Sequence, residues 1–211
     1  MLFSLRGGAV KLKTDEDKYC YALGCNVGRQ IGDLDCLSPE ELDLVLLAVK
    51  DVLTKQEARV NLMEFMPKAA EYFKAKHDAH LEKIEAASKE ALVAAAAEEG
   101  ATTTASGLVI KHIVEGEGEA PTASDTVTCH YVGKLADGST FDSSLARGEP
   151  VGFSLAGVIQ GWQEAIPMMR PGGKAKLTIP SDIAYGERGS PPAIPPKATL
   201  VFTVELFKVN P

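Results

Sequence analysis

The sequence has 211 residues, of which 45% are hydrophobic and 24% are charged, and its formal net charge is -7. That length suits one large domain or two modest ones, and the composition is ordinary for a globular protein. The negative charge argues against nucleic acid or an anionic membrane surface as the main partner, because no basic run offsets it.

The cysteines and the N-terminus bear on the cellular compartment. The four cysteines are Cys20, Cys25, Cys36 and Cys129, and none form the CxxC pairs of a zinc site. Free thiols in a reducing compartment are therefore expected, without a metal site. Arg6 interrupts the one apolar run near the N-terminus, so no secretory signal is visible. The prediction is a cytoplasmic protein, or a periplasmic or secretory one if a signal peptide has been removed.

The first hundred residues are predicted to be helical. From Asp15 to Ile31, apolar residues recur every four positions, which is the spacing of one helical stripe. The run Ser-Pro-Glu-Glu at 38–41 is typical of a helix start. Ser38 can accept hydrogen bonds from free N–H groups of the first turn, and Glu41 can reach back to the Ser38 N–H.

A third helical segment, 61–99, contains no glycine, and Pro67 is its one helix breaker. A continuous helix of this length would span about 58 Å, which exceeds the diameter of a small domain. Its first half carries large apolar residues, whereas its second half consists mainly of Ala, Glu and Lys. We expect the first half to pack and the second half to stand as a strut. The alternative is a long helix that folds back on its own domain.

The pattern changes at 100–107, a small and polar run bounded by glycines. Beyond it, segments rich in Val, Thr, Ile and aromatic residues alternate with period two. They predict strands at 108–114, 126–135, 174–179 and 199–209. Asp137-Gly138 predicts a hairpin, and one short helix is expected near 160–169. The second half is therefore predicted to be an α+β domain, a small antiparallel sheet with one helix packed on it.

The stretch HYVGKLADGSTFDSS at 130–144 offers several possible chemistries. A Ser/His/Asp hydrolase is not favoured, because no GxSxG elbow exposes Ser143 or Ser144 as a nucleophile, and His130 is expected to face solvent. A calcium loop is not favoured either, since Asp137 and Asp142 lack the oxygen spacing and the closing Glu of an EF-hand. What remains is a sheet with an aromatic-rich face.

The second half resembles the FKBP-type peptidyl-prolyl cis-trans isomerase domain from about residue 106 to the C-terminus. Three blocks keep the family's order and spacing: VTCHYVGKLADGSTFDSS, VIQGWQEAIPMMRPGGKAKLTIPSDIAYGERG and IPPKATLVFTVELFKV. The first half resembles, more loosely, the helical dimerisation domain of macrophage infectivity potentiator (Mip)-type bacterial enzymes. In that group a long helix separates the dimerisation module from the catalytic domain.

The resemblance implies a fold and a division of the chain. The expected fold is a C-terminal antiparallel half-barrel sheet wrapped on a short helix, preceded by an all-α N-terminal domain with a long connecting helix. The expected segments are a helical dimerisation domain at 1–60, a connecting helix and linker at 61–105, and the isomerase domain at 106–211.

The resemblance also implies the function and its residues. Such an enzyme accelerates X-Pro isomerisation in protein folding and needs no cofactor or metal. The catalytic positions carried over are Tyr131, Phe141, Asp142, Trp162, Tyr185 and Phe202. The substrate-binding positions carried over are Arg147, Val151, Phe153, Val158, Ile159 and Ile194.

Each carried-over position has an expected role. Trp162 is the floor under the proline ring, and four other aromatic rings are its walls. Tyr185 and the backbone N–H of Ile159 donate to substrate carbonyls, while Asp142 organises polar contacts with a neighbouring tyrosine and arginine. The rim departs from the common family pattern at Val151, where an aromatic residue is usual, and at Ser190, where a histidine often stands.

The implied partners are proline-containing unfolded or partly folded proteins, and macrolide inhibitors of the tacrolimus/rapamycin type. A second copy of the chain is also implied, joined through the N-terminal helices in a V-shaped homodimer with chaperone-like client binding. Two alternatives stay open. One is an FKBP-fold binding or chaperone module with little catalytic turnover, and the other is a scaffold whose pocket is vestigial.

Overall fold

The computed structural model describes residues 12–31 and 34–210. The interpretation of the N-terminal apolar run concerns residues 1–11 and lies outside the described residues. The chain divides into two compact units, Met1–His80 and Leu81–Pro211, and the boundary falls within helix α3 (Leu62–Ala96). In the part of the chain so described, no helix is both long and apolar enough to cross a membrane.

The first unit contains helices α1 (Asp15–Ile31) and α2 (Pro39–Leu53) and the first half of α3. The predicted start of α2 is confirmed. Ser38 Oγ accepts from the Glu41 N–H at 3.3 Å, and the Glu41 carboxylate accepts from the Ser38 N–H at 2.8 Å. These reciprocal bonds satisfy two donors that a helix start otherwise leaves free.

Many apolar side chains of the first unit are exposed. None of its described residues is buried. The predicted stripe of α1, represented by Tyr19 and Leu23, is exposed, and so are Leu44 and Val52 of α2. Contiguous exposed apolar surface of this kind usually marks a place where another surface binds.

The second unit is built on one seven-stranded antiparallel sheet. Its strands are β1 (Ala101–Thr103), β2 (Val109–Val114), β3 (Thr126–Leu135), β4 (Thr140–Ser143), β5 (Val151–Ser154), β6 (Lys174–Ile179) and β7 (Leu200–Asn210). They lie in the order β1-β2-β6-β7-β3-β4, and β5 pairs with the first half of β3. The four predicted strands correspond to β2, β3, β6 and β7.

The core of the second unit lies between the sheet and the short helix α5 (Gln160–Ala165). Every second residue of the central strands points into it, as the two-residue period of a strand requires. From the helical side, Trp162, Ala165 and Ile166 are buried against those strands. The predicted fold class, an antiparallel sheet with a short helix after a helical N-terminal region, is confirmed.

The second half of α3 is not the strut that its composition predicts. Ser88 and Ala95 are each only 5% exposed, and Ile84 packs against the core of the second unit. In the first half of the same helix, by contrast, Leu62 and Met66 are 53% and 62% exposed. An alanine side chain buries little area, but because it is small it allows the helix backbone to approach a neighbouring surface closely.

Polar groups fasten this half of α3 within the second unit. The Glu98 carboxylate, just after the helix, accepts hydrogen bonds from Lys111 Nζ at 3.0 Å and from Lys176 Nζ at 2.5 Å. The strut expectation is therefore wrong, because it weighed large apolar side chains alone and left out the charged and small residues that fix a lean helix.

Acid is expected to loosen the first unit through one carboxylate. Hydrogen bonds from Lys76, Tyr72 and the Ser38 N–H lower the pKa of Glu41 from 4.5 to about 2. A lowered pKa stabilises the fold above the unfolded value, and that stabilisation is lost as pH falls from about 4.5 toward 2.

The change to test is Glu41→Gln, with the exposed neighbour Glu40→Gln as the control. Far-UV circular dichroism during thermal melting should show that Glu41→Gln lowers the Tm at neutral pH and removes part of the pH dependence below 4.5. Identical pH dependence in the wild type and in Glu41→Gln would contradict this prediction.

Candidate active site

A cavity of about 340 Å³ opens between the sheet and α5 of the second unit. Nine of its ten lining residues are among the twelve site positions predicted from the sequence: Tyr131, Phe141, Asp142, Phe153, Val158, Ile159, Trp162, Tyr185 and Phe202. The tenth is Gly157. Six of the ten lining residues are aromatic, so the interior is mainly apolar.

The rings of the cavity are arranged around Trp162, which is 4% exposed. The centroids of Tyr131, Phe153 and Phe202 lie 5.5, 5.3 and 5.2 Å from the Trp162 ring, with interplanar angles of 85°, 75° and 78°. These are edge-to-face contacts, in which the positive ring edge meets the negative ring face. Each ring therefore holds its neighbours at a fixed angle, which gives the cavity a defined shape.

The Trp162 indole also carries an unusual polar group. Its Nε1 is buried and has no hydrogen-bond acceptor among the described residues. A buried N–H without a partner is costly and rare in folded proteins. The contacts that hold the ring are therefore its edge-to-face contacts with the other aromatic side chains, without a hydrogen bond at Nε1.

A polar cluster stands at one side of the cavity. Asp142 accepts hydrogen bonds from the Tyr131 hydroxyl, from Arg147 Nη1 at 2.5 Å and from the Ser143 N–H at 2.8 Å. Arg147 Nη2 in turn donates to the Tyr131 hydroxyl at 2.7 Å. Three side chains on β3, β4 and the following helix α4 (Ser144–Arg147) are thus joined in a closed ring of hydrogen bonds.

The charges of this cluster are fixed near neutral pH. Partial burial raises the pKa of Asp142, but hydrogen bonds from Tyr131, Arg147 and the Ser143 N–H lower it more, and it lies below 3.8. Burial, and then the hydrogen bond to Asp142, raise the pKa of Tyr131 above 10.0. The carboxylate stays ionised and the hydroxyl stays protonated, so this pair is not suited to proton transfer at pH 7.

Three predicted site residues do not line the cavity. Arg147 is exposed and contacts the lining residues Asp142 and Tyr131 through hydrogen bonds and through its guanidinium, which lies over the Tyr131 ring at 5.6 Å. Val151 is partly buried and packs against the core, and Ile194 belongs to the core itself at 4% exposure. Their assignment as substrate-binding residues stays a prediction.

Two polar residues of the stretch 130–144, His130 and Ser144, lie against each other. Ser144 is fully buried, and its Oγ accepts from the Tyr131 N–H at 2.8 Å. His130 is half-buried, with Nδ1 3.0 Å from Ser144 Oγ and its ring edge-on to Phe207. His130 lies on the face of β3 opposite the buried Cys129 and Tyr131, as expected, but Ser144 and Phe207 cover part of its ring, so it is only partly exposed to solvent.

Gly133 is a shaping residue that sequence reasoning missed. A Cβ at this position would lie 2.6 Å from Cζ of Phe141 and 2.8 Å from Cε1 of Phe202. Both rings are cavity walls. The glycine therefore lets two walls close over β3, and a glycine inside a predicted strand was the signal that could have pointed to such an approach.

Comparison with known proteins decides what this arrangement is. A family model described as FKBP-type peptidyl-prolyl cis-trans isomerase matches residues 117–207, and the model for the domain amino terminal to it matches residues 16–111. The chain is 40% identical over 211 residues to the FKBP-type peptidyl-prolyl cis-trans isomerase FkpA of Escherichia coli (strain K12), covering 94% of this chain and 77% of that protein. The chain belongs to the FKBP-type peptidyl-prolyl cis-trans isomerase family.

Other relatives place this isomerase in the FkpA and Mip group. It is 41% identical over 215 residues to the FKBP-type 22 kDa isomerase of Escherichia coli (strain K12), covering 93% of this chain and 96% of that protein. It is 35% identical over 207 residues to the isomerase Mip of Coxiella burnetii, covering 96% and 90%. The crystal structure of Escherichia coli FkpA aligns with a TM-score of 0.63 and 40% identity, over 95% of this chain and 99% of that one.

The described residues of the isomerase contain no group of three or more His, Cys, Asp or Glu side chains that could hold a metal ion.

Gly133→Ala is expected to displace two walls of the cavity and so to change its shape. The added methyl group must displace Phe141 and Phe202, which should cost about 1–3 kcal/mol of unfolding free energy. It should also lower kcat/KM for a proline peptide about tenfold or more, because displaced walls no longer fit the substrate. Gly152→Ala is the matched control, since nothing lies within 4 Å of a Cβ built there. Wild-type activity in Gly133→Ala would contradict the role given to this glycine.

Proposed function

We propose that this isomerase turns the X-Pro bonds of unfolded or partly folded proteins inside the aromatic cavity, and that it works as a homodimer joined through its N-terminal helices. The observation that carries the first part is the cavity itself. Its volume is about 340 Å³ and its lining is mainly apolar. The Asp142 carboxylate and the Tyr131 hydroxyl at its side keep one protonation state at neutral pH.

The reaction suits a site without a nucleophile. Rotation about an X-Pro bond breaks no covalent bond, and its barrier of roughly 20 kcal/mol arises from amide resonance. The twisted amide separates less charge than the planar one and loses less by leaving water. An apolar cavity that fits the twisted form therefore binds the transition state better than the ground state, which is what lowers the barrier.

The proposed roles follow from position. Trp162, at the centre of the rings, is the floor for the proline ring, and Phe141, Phe153 and Phe202 are walls. Tyr185 lines the cavity and is 42% exposed, so its hydroxyl is accessible to a substrate carbonyl. The Ile159 N–H precedes α5 and has no backbone acceptor among the described residues, which leaves it available as the second donor.

Asp142 is proposed to order the cavity. Its two oxygens hold Tyr131, a lining residue, and Arg147 at once. The same cavity is proposed to bind macrolides of the tacrolimus/rapamycin type, for which inhibition of peptide isomerisation is the direct measure.

An ordering role for Asp142 predicts a graded response. Asp142→Ala should lower kcat/KM for a proline tetrapeptide about tenfold, and Asp142→Asn only about threefold, because Asn keeps an oxygen that accepts a hydrogen bond. The wild-type rate should be flat between about pH 6 and 8, since the lowered pKa of Asp142 and the raised pKa of Tyr131 both lie outside that window. Equal losses in the two variants would indicate a charge role, and a steep bell near neutrality would indicate acid–base chemistry.

The homodimer is supported by the surface of the first unit. A cavity of about 540 Å³ in this unit is lined mainly by apolar residues of α2, the following turn and the start of α3, including Leu44, Leu47, Val52, Val60 and Leu62. Since none of the described residues of the unit is buried, its apolar groups lack the cover that a stable fold requires. A second copy would supply that cover.

Client binding is proposed to depend on the dimer, whereas catalysis on short peptides is proposed to be independent of it.

A cytoplasmic location is likewise a proposal, and it rests on the free thiols, of which Cys129 is fully buried. The alternative, a binding or chaperone module with little turnover, differs from the proposal in one measurable respect, which is the rate on short peptides.

Val52→Asp is expected to separate these two properties. Sedimentation should show a homodimer for the wild type at micromolar concentration and a monomer for Val52→Asp, because the new carboxylate would be buried without a partner. The monomer should keep its rate on short peptides and lose rate enhancement on the refolding of a protein limited by proline isomerisation. Val93→Asp, which changes an equally exposed valine in the second unit, is the control. A monomeric wild type would contradict the dimer, and a wild type inactive on peptides would favour the alternative.

A further inference from the structure

The Ala-rich half of α3 contacts the backbone segment just before β7, which is connected to two residues of the cavity. Ser88 is 5% exposed, and its Oγ accepts from the Thr199 N–H at 2.9 Å. The same hydroxyl donates to the Lys197 carbonyl oxygen at 3.4 Å. One side chain of the helix thus binds the backbone of the segment just before β7.

An ion pair reinforces this contact. Lys197 Nζ lies 2.9 Å from a carboxylate oxygen of Glu85, one turn before Ser88 on α3, and 3.6 Å from a carboxylate oxygen of Glu187. We call these contacts together the Ser88 clamp, meaning the bonds of Ser88 with Lys197 and Thr199 and the pair of Glu85 with Lys197. The pair of Lys197 with Glu85 raises the pKa of the first and lowers that of the second, so it persists at neutral pH.

The clamped segment adopts a backbone conformation that does not form readily on its own. Lys197 has φ +60°, in the left-handed region that residues with a Cβ avoid. Such a conformation persists where the surroundings determine it from several sides. Here the surroundings are the Ser88 clamp and the bond from the Lys197 N–H to the Gly186 carbonyl oxygen at 3.0 Å.

Two cavity residues flank the clamped segment. Tyr185 directly precedes Gly186, whose carbonyl receives the Lys197 N–H, and Phe202 follows Thr199 by three residues on β7. Both line the cavity. A shift of the segment would therefore move a proposed donor and a wall together.

We propose that Ser88 and Glu85 are positioning residues for the isomerase site, and that α3 holds the 186–199 segment in the conformation that sets Tyr185 and Phe202 for substrate. Neither residue touches the cavity, so both act through Lys197 and Thr199. The proposal rests on the isomerase activity in that cavity. It gives the second half of α3 a part in catalysis on short peptides, separate from any part of the first unit in joining two copies.

The test compares full-length variants by steady-state isomerisation of a proline tetrapeptide. Ser88→Ala removes the hydroxyl, and Glu85→Gln removes the ion pair. Each should raise KM about three- to tenfold with a smaller change in kcat, because a displaced donor and wall weaken substrate binding. Ser88→Thr keeps the hydroxyl and should restore most of the wild-type KM. Glu90→Gln, which makes the same change of charge at an exposed position of the same helix, should leave both constants unchanged.

The outcomes separate positioning from simple stabilisation. If Ser88→Ala and Glu85→Gln lower the Tm but keep the wild-type KM and kcat, the clamp only stabilises and the proposal is overturned. If Ser88→Ala does not fold, Glu85→Gln and Lys197→Gln decide, since both change partly exposed side chains and retain the buried hydroxyl. An inactive wild type would refute the proposed function, whereas an active wild type with unaltered variants would refute only the role of the clamp.

Discussion

The antiparallel pairing of β3 with β7 is the constraint on which the second unit depends. Its register sets Tyr131 opposite Val204 and Gly133 opposite Phe202. Because side chains alternate between the faces of a strand, that register puts the core residues and the cavity walls on the same face. A slip of one residue would turn all of them outward, so the fold and the site are fixed by the same hydrogen bonds.

Around this pairing, the cavity is shaped by residues that do little chemistry of their own. The indole of Trp162 is fixed by perpendicular rings, and the Gly133 backbone leaves the space in which two of the walls meet. The Asp142 carboxylate is ionised and fully engaged, and holds Tyr131 and Arg147 in place. Rotation about the X-Pro amide bond, which has partial double-bond character, requires a rigid and dry cavity and no reactive group.

The long helix α3 contributes differently along its length. In the first unit its large apolar residues are exposed, which is typical of a surface that binds another protein surface. In the second unit its small and charged residues contact the sheet and the loops around it. Ser88 and Glu85 of the helix, and Glu98 just after it, form the polar contacts. Composition alone predicted the reverse, with a packed first half and an unpacked second half. It reflects how much area a side chain can bury and does not show which backbone groups the side chain can reach.

Much of the architecture could be predicted from the sequence. Period-two alternation located β2, β3, β6 and β7, and the run at 38–41 located the start of α2. Nine of the ten cavity-lining residues were implied by the resemblance of the motif blocks to the FKBP family. These signals are local, since strand alternation, helix capping and short motifs each act over a few residues. The sequence by itself determined that the sheet would have an aromatic-rich face.

The tertiary structure decided what depends on groups distant in the chain. Ser144 is buried against Tyr131, Ile194 belongs to the core and not to the cavity lining, and Ser88 reaches Thr199, more than a hundred residues away. A serine or an alanine carries no sequence pattern that names its distant partner. Its role arises only when the pairing of strands brings a free backbone donor or a ring to within a few ångströms, and that distance is a property of the folded chain.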